Sequence, residues 1–456
     1  MTQSTTATKT PLDASHRLLA IGLVLSVTLV AFESTALITA LPTITKALNG
    51  DSYYGITLAV YTLANLVALV AAGRAADRRG PAPVFAVSII VFIVGLVVAG
   101  VATSMAVVGI GRLLQGAGSG GLSPIAYLLV KRGFPDDRQP MMYVYISAGW
   151  VLPSLLAPLF SGYVTDTFGW RWVFFSIIPL ATFVGLVATV PMRQFGPVDQ
   201  AEATHGEGEM RVSLAFAVAV GVGVLLMSLA AANPFVIVLG SVAGIALTLP
   251  ALRRLLPHGF FTARMGYPAL LMCRFLAAAT FILVDSFVPL AAARIHGAKP
   301  FVQGFVIVGA AISWTIGQVL ISRLPNVRPE HAVTAGFALL GTAAVLVTPV
   351  LWAGWPLWVT FFSWAVGGLG MGILYNPSTV ATMSYATDGR EGLVSSQVRL
   401  SESLGFSLMY GVGGAMVAVA DRTALTLTAA LAINFGLAAA CAIAGIVASR
   451  GIRTAS

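Results

Sequence analysis

Six ionisable side chains stand inside long apolar runs of the sequence: Glu33, Arg112, Arg274, Asp285, Arg399 and Glu402. An ionised group in hydrocarbon is costly, so such residues face a wet interior, pair with one another, or change protonation. Glu33 lies about 15 residues into its run, roughly 22 Å at the helical rise, which places it near mid-bilayer. Its helical face reads Gly22, Ser26, Glu33, Ala36 and Ala40, small or polar throughout, as a cavity wall would be. A carboxyl group that exchanges a proton is the reading adopted for Glu33; a structural carboxylate neutralised by a neighbour is the alternative. Arg112 lies roughly 12 Å deep and would reach Glu33 if their helices adjoin. That pair has two readings of equal standing, a protonation-sensitive couple and a fixed link between two helices. Arg399 and Glu402 are three apart on one helix, the spacing of a local salt bridge. Asp285 has no partner nearby in the sequence and is read either as a second proton site or as part of an outer vestibule.

These side chains must be held by membrane helices. Of 456 residues, 57% are hydrophobic and only 9% are charged. Soluble domains carry about 25% charged residues, so the composition excludes most soluble enzymes and any disordered protein. At roughly 20 residues per crossing, the length suffices for 12 to 14 helices and leaves no room for a separate soluble domain. Hydropathy marks fourteen spans, read as six, two and six, the fifth over Met141–Gly162 and the ninth over Tyr267–Ala292. The resulting divisions are a cytoplasmic tail (1–17), an N-terminal six-helix unit (18–191), a cytoplasmic linker (192–211), an inserted helix pair (212–253), a C-terminal six-helix unit (254–449) and a second cytoplasmic tail (450–456). The linker holds Asp199, Glu202, Glu207 and Glu209. Of the 26 Lys and Arg residues, only Lys46, Arg171, Arg294, Lys299 and Arg422 fall in loops on the side away from the termini, and Arg112, Arg274 and Arg399 lie within spans. That bias puts both termini in the cytoplasm and the chain in the cell (inner) membrane as a multi-pass protein.

Several chemistries find no support. The net charge of +9 is scattered between apolar runs and makes no basic face for nucleic acid. Gly116, Gly118 and Gly121 match G-x-G-x-x-G, but inside a membrane helix such glycines read as close packing. No Lys follows a Gly, so there is no phosphate-binding loop and no sign of ATP hydrolysis. The histidines are dispersed, no zinc or G-x-S-x-G motif occurs, and Cys273 and Cys441 read as packing residues. No enzyme, metal or cofactor is expected.

Five motifs in order carry a resemblance. Phe32-Glu33-Ser34-Thr35 leads to Ala40-Leu41-Pro42-Thr43-Ile44; Gly73-Arg74-Ala75-Ala76-Asp77-Arg78-Arg79-Gly80 follows the second span. Arg112-Leu113-Leu114-Gln115-Gly116 stands in the fourth, Pro153 with Ala157-Pro158-Leu159-Phe160-Ser161-Gly162 in the fifth, and Trp170-Arg171-Trp172-Val173-Phe174-Phe175 opens the sixth. Together they resemble the major facilitator superfamily, in particular its drug:proton antiporter branch with fourteen spans. Glu33 stands where that branch usually has Asp. Pro81 and Ala82 replace the closing basic pair of the loop signature, and the fifth-span motif lacks three of its glycines.

The resemblance implies an all-α integral membrane protein of the major facilitator fold: two six-helix bundles, each built from inverted repeats, plus an inserted helix pair. It implies proton-coupled export of hydrophobic or cationic compounds by alternating access, or on the same scaffold the transport of lipids or lipid-linked molecules. Proton coupling falls to Glu33, Arg112, Asp285, Glu402 and Arg399. Gly73, Asp77, Arg78 and Gly80 form a gate, with Asp77 set against the start of the thirteenth span and Lys131 or Arg132 nearby. Pro153, Pro158 and Gly162 form a bent, movable seal. Phe32, Trp150, Trp314 and Tyr375 are candidates for the cavity wall or for lipid contact. The partners expected are a small hydrophobic or lipid-like substrate, protons and the bilayer, with the chain a monomer that binds no nucleic acid.

Overall fold

Lipid offers no hydrogen bonds, so a chain this apolar must satisfy its backbone within each crossing, which selects helices. The computed structural model describes residues 14–135, 138–197, 205–229, 231, 233–324, 327–385 and 391–453. Residues 1–13 and 454–456 of the expected tails, and Asp199 and Glu202 of the expected linker, lie outside them.

The first half comprises α1 (Ala14–Ala47), α2 (Tyr54–Arg79), α3 (Pro81–Gly100), α4 (Met105–Gly133), α5 (Gln139–Ala148), α6 (Val151–Phe168) and α7 (Arg171–Met192). A hairpin of α8 (His205–Leu229) and α9 (Pro234–Leu255) follows. The second half comprises α10 (Tyr267–Asp285), α11 (Val288–Arg294), α12 (Pro300–Ser322), α13 (Pro329–Val347), α14 (Leu357–Met383), α15 (Glu391–Arg422) and α16 (Leu427–Ser449). Among the described residues, thirteen helices are long and apolar enough to cross a membrane. α8 packs on α2 and α15, while Phe235 and Leu239 of α9, at 78% and 68% exposure, face outward as lipid-facing residues do.

Two of the fourteen expected spans differ from a continuous helix. The fifth is broken at Gly149–Trp150 into α5 and α6. Pro153 falls in the first turn of α6, where a missing N–H costs nothing, and its ring cannot extend the helix backward. The bend expected at Pro158 is thus exceeded by a break upstream, while Pro158 itself sits inside α6. The ninth span turns at Ser286–Phe287 between α10 and α11; Pro289 has no N–H to give the carbonyl of Asp285, so α10 ends there. The thirteen apolar helices leave out the fifth span for the same reason, and α8 begins at His205, inside the stretch read as linker.

The end where α1 starts and α16 finishes is called here the near end, and the opposite one the far end. At the far end the two halves are joined. α6 meets α12 so closely that a Cβ on Gly162 would stand 2.6 Å from the Phe301 Cα, and one on Gly304 would strike the Pro158 carbonyl. Gly55 of α2 and Gly414 of α15 meet backbone to backbone. Tyr54 donates to the Ser286 carbonyl at 2.6 Å, the Phe301 N–H donates to Asp166 at 3.1 Å, and Arg294 pairs with Asp51. Pro158 and Gly162 therefore lie in a seam between halves, and Ser161 adds a 2.6 Å bond to the Ala36 carbonyl of α1.

Candidate functional site

α1 is held between α6 and α7 and touches α4, which brings Glu33 to Arg112. The two form an ion pair at 1% and 2% exposure. Arg112 also donates to the Gln115 side chain three residues on, one face of the same helix. Its guanidinium lies 4.1 Å from the centre of the Tyr61 ring on α2. That ring is set by the α2–α4 contact, where a Cβ on Gly116 would collide with the Tyr61 carbonyl. The neighbouring Gly118 packs likewise on α3, a Cβ there standing 2.5 Å from the Phe92 nitrogen, so this G-x-G-x-x-G is a packing stripe. Glu33 Oε2, Arg112 Nε and Gln115 Nε2 have no protein hydrogen-bond partner, leaving the pair with unused capacity.

A second cluster occupies the other half. Arg274 of α10 pairs with Glu402 of α15, donates to the Tyr375 carbonyl at 3.1 Å and Ser378 Oγ at 3.0 Å on α14, and lies 3.8 Å from the Tyr375 ring centre. Its contact with Glu402 Oε1 is an ion pair without an aligned hydrogen bond. Arg399 stands 3.3 Å from the other carboxylate oxygen, so the spacing-based pair is present but shares its acid with Arg274. Asp285 lies apart and accepts the Trp364 indole N–H at 2.8 Å.

The remaining expected residues divide. Trp314 and Tyr375 are in ring contact at 5.7 Å, and Phe32 packs on Phe160 at 5.3 Å. Trp150 is 41% exposed at the break before α6. Gly80 links α2 to α3 at φ +82°, a conformation that favours glycine, whereas a Cβ on Gly73 would meet only open space. Asp77 is exposed and forms no ion pair with a described residue; Arg132 is the cation whose field reaches it. The segment before α15 that was expected to face it includes residues 386–390, outside the described set. Among the described residues no group of three His, Cys, Asp or Glu is placed to hold a metal. Tyr61, Ser378 and Trp364 are site residues that spacing did not indicate; Gln115 was within reach of such reasoning, being three residues from Arg112.

Residues 23–210 match the Major Facilitator Superfamily. Over that stretch the chain is similar to the major facilitator superfamily. Similar proteins include "Multidrug resistance protein 3" of Bacillus subtilis, 23% identical over 419 residues covering 88% of this chain and 79% of that protein. A Mycobacterium tuberculosis protein named "Probable multidrug-efflux transporter" is 24% identical over 466 residues, 98% of each chain. The fold is also that of a crystallised POT family transporter, with a TM-score of 0.70 over 95% of this chain and 96% of that one at 14% identity. The family match and the transporter relatives together indicate a transporter rather than an enzyme.

Proposed function

We propose that the chain is a proton-coupled antiporter exporting hydrophobic or cationic small molecules by alternating access, with the near end in the cytoplasm. The observation that carries this reading is the dry Glu33–Arg112 pair between α1 and α4. A proton on Glu33 removes the charge that holds Arg112, which then keeps only Gln115 and the Tyr61 ring. A single protonation thereby weakens one helix–helix link deep in the membrane, the kind of local change that biases a rocking equilibrium. Asp285 and Glu402 are further carboxylates available for proton binding.

The moving bodies are residues 18–191 and 254–449, with the pair 212–253 inserted between them. In the arrangement sealed at the far end, substrate enters from the near end; the seam of Pro158 and Gly162 against α12 then opens as Asp77 and its neighbours close. The absence of a phosphate-binding loop leaves an ion gradient as the energy source, and one charge crossing 100 mV supplies about 2.3 kcal/mol. The multidrug-resistance and multidrug-efflux names carried by two relatives support this direction and substrate range.

The test is fluorescent-dye flux in reconstituted vesicles under a pH gradient of either sign. Glu33→Gln should reduce gradient-driven flux to that of protein-free vesicles while the purified variant keeps its helical spectrum. Full gradient-driven flux in the variant would remove Glu33, and with it this mechanism.

A further inference from the structure

The second half carries a feature that the Glu33–Arg112 pair does not use. Arg274, Ala278, Phe281 and Asp285 recur at spacings of four, three and four on α10, so they share one face. Eleven residues of helix separate the two charges by roughly 16 Å. Between them runs a chain of touching rings: Trp364 on Phe281 at 5.1 Å, Phe281 on Trp314 at 5.3 Å, and Trp314 on Tyr375 at 5.7 Å. Ile312, Ile316 and Val319 give α12 its exposed side, and Trp314 points away from it onto α10 and α14. Phe281, Trp314, Tyr375 and Asp285 are all partly accessible.

The two ends of this wall have opposite, uncompensated charge. Asp285 receives one indole N–H and has no cation within ion-pair distance among the described residues. At the other end, among the described residues, two guanidinium groups share the single carboxylate of Glu402, an excess of one positive charge. Arg399, which supplies it, is 48% exposed, yet Tyr127 of α4 and Tyr375 of α14 lie within its electrostatic reach. Its open side therefore faces the space between the two halves.

We propose that this wall is a binding slot for an elongated dipolar amphiphile: a cationic group at Asp285, an apolar body along the rings, and an oxyanion at Arg399. A neutral ligand would cover both poles and satisfy neither, and a singly charged one would cover the other pole without pairing it. The rings beside Asp285 add attraction for a cation. The separation excludes ligands whose opposite charges are adjacent, such as a zwitterionic lipid headgroup. This inference rests on the transport reading above and narrows its substrate class from hydrophobic or cationic compounds to amphiphiles with opposite charges at their two ends.

The test is equilibrium binding to the purified full chain without any gradient, using 11-aminoundecanoate, undecanoate, undecylamine and 4-aminobutyrate. The long dipole should bind at least about tenfold more tightly than either singly charged chain, the scale of one charged hydrogen bond, and 4-aminobutyrate should not compete. Asp285→Asn should erase the advantage over undecanoate and Arg399→Gln the advantage over undecylamine, with Arg399→Lys retaining part of it. Equal binding of the dipole and either singly charged chain, effective competition by 4-aminobutyrate, or no binding of any probe overturns the slot; the wild-type ranking alone decides this if a variant fails to fold. Dye flux driven by a pH gradient without a dipole preference would overturn the slot and leave the antiporter reading standing. Dipole binding in a protein with no gradient-driven flux would do the reverse.

Discussion

The two intramembrane clusters are built from the same parts in different proportion. In each, a guanidinium lies on a tyrosine ring, at 4.1 Å for Arg112 on Tyr61 and 3.8 Å for Arg274 on Tyr375, and faces a glutamate. In the first half one base meets one acid and the account closes at zero. In the second, one acid serves two bases, and Arg274 has a carbonyl and a hydroxyl on α14 besides. The first cluster therefore has no reserve: any change of charge on Glu33 is felt directly by Arg112. The second is buffered, since Glu402 can lose Arg399 and keep Arg274. A switch suits the first place and a recognition surface the second.

The sharpest way to break this contrast is to delete one arginine from each cluster. Arg112→Gln strands Glu33 at 1% exposure. Removing one partner of a buried pair costs about 3–5 kcal/mol, so unfolding in detergent should occur at clearly lower temperature. The double change Glu33→Gln with Arg112→Gln should recover most of the loss, because no bare charge remains. Arg399→Gln should cost less than about 1 kcal/mol, as expected of a half-exposed pair whose acid retains a second cation. Equal losses for the two single variants would mean that the clusters are energetically alike and that the distinction drawn here is wrong.

Much of the first cluster is legible in the sequence because its cue is local. Glu33 announces itself as an acid in an apolar run, and Arg112 and Gln115 share a motif at helical spacing. The second is legible only in part. Arg399 and Glu402 lie three apart on one helix, but Arg274 is joined to them by the packing of α10 on α15, across more than a hundred residues. Tyr61 is set over Arg112 by a glycine contact between α2 and α4, and nothing in the pattern of either helix marks it. The break before α6 and the turn after α10 interrupt runs that hydropathy reads as continuous, because hydropathy sums side chains and takes no account of the missing N–H of Pro153 or Pro289. The Asp77 latch is a motif-based expectation whose opposing segment includes residues outside those described.

A second test asks how tightly the two clusters are kept in register. Gly55 lies in the first turn of the helix that carries Tyr61, Gly414 lies on the helix that carries Glu402, and the two backbones touch. Gly55→Leu places a side chain where the Tyr410 carbonyl and the Gly414 backbone already stand. Overpacking of this kind costs about 1–3 kcal/mol, enough to favour arrangements open at the far end by roughly fivefold or more. Thr39, fully buried beside Gly304 in that seam, reports the change. A Thr39→Cys probe in a Cys441→Ser background should be labelled faster by a membrane-impermeant maleimide when Gly55→Leu is added. Unchanged labelling would show that α2 and α15 do not hold the seam.

The smallest expected effect comes from Asp51, just before α2, and Arg294 at the end of α11, which strap the two halves together at the far end. Their side chains are 32% and 16% exposed, so water already competes for both charges. Pairs of this type contribute about 0.2–1 kcal/mol, and Asp51→Asn keeps an acceptor oxygen for Arg294, which points to the lower part of that range. Labelling of the Thr39→Cys probe should therefore rise by less than about fivefold, the ceiling that 1 kcal/mol sets. Salt separates a charge effect from a packing effect: screening weakens an accessible pair, so labelling of the otherwise unaltered probe protein should climb with ionic strength, and that of Asp51→Asn should not. A climb of equal size in both would assign the salt response to some other contact and leave Asp51 and Arg294 without a part in the seal.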